Sequence, residues 1–484
     1  MTKKLILALV LIVVVVALYG AYKPLPDGLD VTGTMHEIPA ASIHFFSDKT
    51  FIDAQGVRRS EQQIFDELLR MIDGAEQYVL LDFFFYSDFL GTATTSHRQL
   101  ARELTDALIE KKKMNPDVII QVITDPINSL YGGYSPVHFE ELRAHNISVI
   151  TTAFPPMRDS NPLYSGIWRV FFRWLPAGNL HLLPNLLDAH KPKVSPIAYL
   201  HSFNFKANHR KVALTDYRSG TERGFSVLLT SWNPHDGSSA HSNTAIRVDD
   251  ALWREILASE EAVAMFSKAA FQRPPDILMS IAARRTGPLR IQLLTEHAIE
   301  EKILGVLERM GKGDALDIAM FYLSDREIIG ALKEADERGV KIRLLLDPNK
   351  DAFGREKNGI PNRPVAHELS EHTSGNTEIR WCNTQGEQCH SKMLIFKQAS
   401  EHVLILGSAN LTRRNLDNLN LETNAYVAGD LTVPAIRDAV QLFETVWTNE
   451  PGKTYSLEYA QYSDDSVGKT LWYRWGEASG MSRY

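Results

Sequence analysis

Polar and apolar positions fall into three regimes along the chain. Lys3 and Lys4 precede an unbroken apolar run, Leu5 to Tyr22, of 18 residues. As a helix it spans about 27 Å, close to the roughly 30 Å of a bilayer core. This predicts a membrane anchor over residues 1–22. A secretory signal is the rival reading, although its apolar region is usually shorter and no clear Ala-x-Ala site follows. The lysines belong on the cytoplasmic side, which places the body on the periplasmic or extracellular side.

The second regime alternates between two periods. Glu61–Met71 and Glu300–Met310 carry apolar residues at i, i+4 and i+7, the pattern of an amphipathic helix. A strand-like run follows each, from Tyr78 and from Leu316. Helices are then expected over Gln99–Lys112 and Glu327–Arg338. Strands ending in Asp125-Pro126 and Asp347-Pro348 come next, where proline fits because it donates no ladder hydrogen bond. Third helices around Glu141-Leu142 and Glu368-Leu369 lead to strands at Ile147–Ile150 and Glu378–Arg380. The same order twice is an internal repeat. Strands alternating with helices predict an α/β protein of two fused homologous units with mainly parallel sheets. The first unit is expected over 40–272 and the second over 289–450, with a joint between Arg273 and Pro288.

The third regime breaks the repeat. Residues 153–206 have no counterpart in the second unit and include Trp168, Phe171, Phe172 and Trp174 among Arg169 and Arg173. Aromatics mixed with basic residues suit a membrane interface, and a long loop before a motif suits a lid or substrate wall. Packing under the loop as a satellite core is the alternative. The extension 451–484 carries Leu471-Trp-Tyr-Arg-Trp475, expected to pack on the body.

Composition changes little. Apolar and charged fractions are those of a globular chain, and the net charge of −7 argues against a broad nucleic-acid surface. The two cysteines, Cys382 and Cys389, bracket a short polar loop before His390. In an oxidising compartment they are expected to close a disulfide; two unlinked thiols are the alternative.

The chemistry lies in a duplicated phrase. His209-Arg-Lys211 is followed by Ser231-Trp-Asn233, and His390-Ser-Lys392 by Ser408-Ala-Asn410. On a strand, each His and its Lys face the same way. Histidine serves as nucleophile or general acid, lysine is a point charge for phosphate oxygens, and the asparagine amide adds neutral donors. Such a set requires no metal and no cofactor.

This set resembles the phospholipase D superfamily, whose signature is His-x-Lys-x4-Asp followed by Gly-Ser-x-Asn. The first copy matches at His209, Lys211 and Asp216, with Thr230 in place of the glycine. The second matches at His390, Lys392, Gly407, Ser408 and Asn410, with Glu422 as the later acid and Lys397 in the aspartate position, where a solvated lysine is expected. Glu422 has no clear counterpart in the first unit, where Asn243 is nearby. The resemblance implies two packed α/β units with the site at their pseudo-twofold interface, so one chain supplies a complete site. It implies His209 as nucleophile and His390 as acid. It also implies phosphate binding by Lys211, Lys392, Asn233 and Asn410, with Asp216, Glu422, Ser231 and Ser408 in support. The residues alone do not separate the two histidine roles. The expected activity is a membrane-anchored phospholipase D or cardiolipin synthase-like phosphatidyltransferase acting on phospholipids. A nuclease with the same chemistry is the alternative, with nucleic acid the less expected partner. A non-catalytic scaffold with a decayed site is a further one.

Overall fold

The computed structural model describes residues 2–91, 97–178, 180–188, 191–220, 222–279 and 286–482. The expected joint at 273–288 lies partly outside these, at 280–285.

Two sheets organise the body. Across the first run Lys453–Thr454, Ile43–Asp53, Asn243–Asp249, Glu222–Thr230, Lys211–Ser219, Tyr78–Phe83, Ile119–Thr124 and Ser148–Thr151. Across the second run His36–Ile38, Leu289–Thr295, Thr423–Gly429, His402–Gly407, Lys392–Lys397, Ala315–Met320, Lys341–Leu346, Thr377–Cys382 and Ser456–Glu458. The protein is α/β, as its alternating periods predict, but both sheets are mixed rather than mainly parallel. Among the described strands, those joined by crossover helices pair parallel. After each motif strand the chain turns back tightly, so the next two strands pair antiparallel. The sheets also exchange edges. His36–Ile38, from the start of the chain, pairs with Leu289–Thr295, and Lys453–Thr454, from its end, pairs with Ile43–Asp53.

The sheets pack face to face. Val212, Leu214, Val227 and Leu229 of the first share a buried core with Met393, Ile395, Leu404 and Leu406 of the second. Each such side chain contributes about 1.5–3 kcal/mol by leaving water. The outer faces are covered by the amphipathic helices. Ile64–Gly74 and Leu100–Met114 cover the first; His297–Leu307, Arg326–Glu337 and Asn362–His372 cover the second. Asp325 caps Arg326–Glu337 by accepting from the Glu327 and Ile328 amides.

Thr2–Tyr22 is one exposed helix, long and apolar enough to cross a membrane, a property that an anchor shares with a signal sequence. It packs against Pro162–Phe171 of the insertion. Contact is close because Gly166 has no side chain: a Cβ there would stand 2.7 Å from that of Ala17. In the insertion Trp168 is buried and donates to His201 Nδ1 at 2.8 Å, whereas Phe171 and Trp174 are exposed. The C-terminal motif also divides: Tyr473 is buried, but Leu471, Trp472 and Trp475 are exposed, so the expected packing holds for one ring of three.

Candidate active site

Both histidines lie just before their strands, which begin at Lys211 and Lys392. There the backbone leaves its own sheet and pairs with the other half. His209 N donates to Leu421 O, and His390 N donates to Ser242 O, each at 2.9 Å. The residue before each histidine is fixed by a buried aspartate. Asn208 N donates to Asp125 Oδ2 at 2.7 Å and Cys389 N to Asp347 Oδ2 at 2.8 Å. These are the two Asp-Pro aspartates, legible in the sequence as strand ends but not as supports of the motif.

Side-chain support is exchanged between halves. His209 Nδ1 meets Glu422 Oε1 at 2.8 Å, and His390 Nδ1 meets Asn243 Oδ1 at 3.1 Å. Ser408 donates to Glu422, as Ser231 does to Asn243 Oδ1 at 3.0 Å. Asn243 Nδ2 donates to His241 O at 3.1 Å, which fixes the amide with its oxygen toward His390. Both acceptors therefore hold the N–H tautomer at Nδ1, leaving Nε2 for chemistry. Asn415 also donates to Glu422; nothing in its sequence context marks it out.

The cleft has a volume of about 960 Å³ and is lined by His209, His390, Asn233, Asn410, Phe84 and Phe321 among others. Asn233 Oδ1 accepts from Phe85 N at 3.0 Å, turning its amide nitrogen away from that contact. Asn410 Oδ1 is buried and has no hydrogen-bond partner among the described residues. Lys211 Nζ donates to His209 O at 2.6 Å and Lys392 Nζ to His390 O at 2.9 Å. Phe84 and Phe321 are equivalent in the repeat, and each lies 5.3 Å from the ammonium of its half's lysine. Arg210, between His209 and Lys211, is fully buried and bridges Glu260 (3.2 Å) and Glu296 (2.8 Å). Glu296 in turn accepts from Glu422 N at 3.1 Å, so Arg210 positions the carboxylate that holds its neighbour.

Burial dominates the electrostatics. It lowers His209 to about 4 against the pull of Glu422, and drives His390 well below its ordinary value with Lys392 adding to the effect. It lowers Lys211 to about 7, and Lys392 well below the usual lysine range with Lys211 nearby. Burial alone pushes Glu422 up, but His209, Lys211 and Ser408 outweigh it and hold the carboxyl below its ordinary range. Two lysines and two imidazoles thus crowd a buried site, an arrangement that favours an anionic ligand. Among the described residues no group of three or more His, Cys, Asp or Glu side chains converges as a metal-ligand set.

One expected support, Asp216, lies elsewhere, and Lys397 is not exposed as expected. Asp216 accepts from the Glu76, Gln77 and Tyr78 amides at 3.1, 3.0 and 2.8 Å and does not orient a histidine. Five residues of strand carry it roughly 16 Å beyond Lys211. Lys397, in the same relation to Lys392, pairs with Asp317 and, at 3.6 Å, with Glu444; it is not a solvated lysine. The sulfurs of Cys382 and Cys389 stand at disulfide distance, 2.09 Å, beside His390.

A family model described as "Cardiolipin synthase, PLD-like domain" matches residues 306–447, a range that holds His390, Lys392, Asn410 and Glu422. No curated protein sequence matches the chain. Among solved structures, the chain is similar to phosphatidylserine synthase of Haemophilus influenzae Rd KW20. The TM-score is 0.53 at 11% identity, over 94% of this chain and 97% of that one. Polyphosphate kinase from Porphyromonas gingivalis aligns with TM-score 0.45 at 14% identity, over 91% of this chain and 53% of that one. A phospholipase D family member, Nuc from Salmonella typhimurium, aligns with TM-score 0.27 at 14% identity, over 35% and 99%. The protein thus carries a phospholipase D-like domain over residues 306–447 and shares the two-lobed α/β fold of the phosphatidylserine synthase.

Proposed function

We propose that the protein is a membrane-anchored phosphodiesterase or phosphatidyltransferase that acts on phospholipids through a phosphohistidine intermediate. The observation that carries this reading is the paired cleft: two histidines with open Nε2 atoms, each beside a lysine, across one lobe interface. His209 Nε2 attacks phosphorus while Glu422 stabilises the positive charge that develops on the ring. The P–O bond to the leaving alcohol breaks, and His390 Nε2 delivers the proton to that oxygen. His390, now neutral, takes a proton from water or a second alcohol, whose oxygen attacks phosphorus and breaks the P–N bond. Splitting one displacement into two is the gain of covalent catalysis. Lys211, Lys392, Asn233 and Asn410 hold the phosphoryl oxygens as charge builds. A bound phosphodiester also brings the negative charge that raises His390 toward its acid form.

Lipid as substrate is supported by the family description and by the likeness to a phosphatidylserine synthase. The exposed apolar helix Thr2–Tyr22 and the exposed aromatics of the insertion add to it. That helix acts as an uncleaved anchor with the body on the non-cytoplasmic side. Purified protein incubated separately with labelled phosphatidylglycerol, with phosphatidylcholine plus a primary alcohol, and with single-stranded DNA is expected to turn over lipid. Both His209→Ala and His390→Ala are expected to lower that turnover by at least about 100-fold. Nucleotide release without lipid turnover replaces this reading with a nuclease.

A further inference from the structure

A second groove, of about 1000 Å³, opens from the catalytic cleft, and the two share Phe205, Tyr322 and Lys357. Beyond those residues it is lined by Ile360, Trp472, Trp475 and Met481. The tryptophans stand on the C-terminal helix Val467–Ser479, 62% and 48% exposed, with ring centroids 5.3 Å apart. Such area on large rings is costly to leave in water. Arg414, which lines the cleft, donates to Ser482 O and so ties the tail behind Met481 to the site.

Beside the groove, the C-terminal tail packs on the segment that holds the apolar N-terminal helix. Gly480 lies against the Ser160 carbonyl, and the next residue back, Asp159, donates its amide to Gly20 O at 2.9 Å. Lys23, at the base of that helix, donates to Pro155 O at 2.7 Å. The open course therefore runs from His209 and His390, past a cation at Lys357, along an aromatic wall ending at Trp472, Trp475 and Met481. A charged opening followed by an apolar trough matches an amphiphile with its phosphate at the inner end.

We propose that this groove receives an acyl chain of the glycerophospholipid whose phosphodiester lies between His209 and His390, with Trp472 and Trp475 as its outer wall. The inference rests on the lipid reading above. It assigns the C-terminal helix to substrate binding and makes chain length a determinant of KM.

Full-length protein held in amphipol is assayed with monomeric phosphatidylglycerols of increasing acyl length, and with bis(4-nitrophenyl) phosphate, which has no acyl chain. For the wild type, KM falls with each added methylene, by at most about fourfold per buried group. In Trp472→Ala/Trp475→Ala that dependence flattens and KM for the longest monomer rises about tenfold, while cleavage of the nitrophenyl ester is unchanged. Trp472→Phe/Trp475→Phe restores most of the dependence. An unchanged slope in the alanine variant overturns the proposal. So does a loss confined to lipid in vesicles, which assigns the rings to the bilayer surface. Wild-type protein that cleaves the nitrophenyl ester but no lipid overturns the lipid reading, and this inference with it.

Discussion

His209 and His390 occupy equivalent places in the two halves and differ in what stands behind them. His209 leans on the carboxylate of Glu422, His390 on the neutral amide of Asn243. Much around these two contacts is matched: serine behind each acceptor, aspartate beneath each preceding amide, phenylalanine beside each lysine. A carboxylate stabilises a ring that gains positive charge, as a nucleophilic imidazole does on attacking phosphorus. An amide holds the tautomer but leaves the imidazolium acidic, which suits a group that must release its proton. The difference between a charged carboxylate and a neutral amide is thus the physical basis for giving the two rings different jobs.

The largest test removes the rings themselves. His209→Ala is expected to cost at least roughly 10⁴-fold on every substrate. His390→Ala is expected to cost about 10²–10⁴-fold on alkyl phosphodiesters. On bis(4-nitrophenyl) phosphate, whose leaving group departs without a proton, release of the first nitrophenol is largely spared. Equal losses on both substrates for both variants would erase the distinction.

Exchanging the supports comes next. Glu422→Gln, with the same shape and no charge, is expected to lower kcat by roughly 10²–10⁴-fold, whereas Asn243→Ala loses a neutral hydrogen bond and about tenfold. Asn243→Asp tests the sign by pH. In the proposed route His390 acts in its protonated form, so activity is expected to fall as pH rises through its pKa. A carboxylate at 243 raises that pKa, and the alkaline limb of kcat moves to higher pH. The acidic limb, set by His209 in its neutral form, with its pKa lowered to about 4, stays in place. A profile with a fixed alkaline limb would remove His390 from the acid role.

Stability offers a smaller contrast. Arg210→Met strands Glu260 and Glu296 in the interior and is expected to cost about 3–5 kcal/mol in denaturant unfolding. Lys397→Asp, which makes the second motif match the first, sets a third carboxylate beside Asp317 and Glu444. It is expected to cost about 1 kcal/mol with kcat unchanged, because that position lies at the far end of the strand from the chemistry.

The repeat made most of the fold legible. Apolar spacing marked the helices at 61–71 and 300–310, and the Asp-Pro pairs marked the strand ends. The mixed character of the sheets was not legible, because a buried strand reads the same whichever way its neighbours run. Strand exchange at His36–Ile38 and Lys453–Thr454 escaped for a related reason: short edge strands carry almost no periodicity. At the site, His209, Lys211, His390 and Lys392 stood out by repetition. Asp216 misled because its role came from the resemblance, whereas five residues of strand already set it at the far end from His209. The cross-lobe pairing of Glu422 with His209 needs a contact between residues 213 apart in sequence, which no local pattern encodes. Asn243 could be noted only as a neighbour without an acidic equivalent; the fold makes it the partner of His390.

The central claim is that His209 forms the covalent bond to phosphorus. In His390→Asn protein given bis(4-nitrophenyl) phosphate, nitrophenol still leaves, but water lacks its base, so the adduct accumulates. Alkaline quenching and peptide mass spectrometry are expected to find one phosphoryl adduct, on His209. An adduct on His390 in the reciprocal His209→Asn protein, with none on His209 in His390→Asn, would contradict the account.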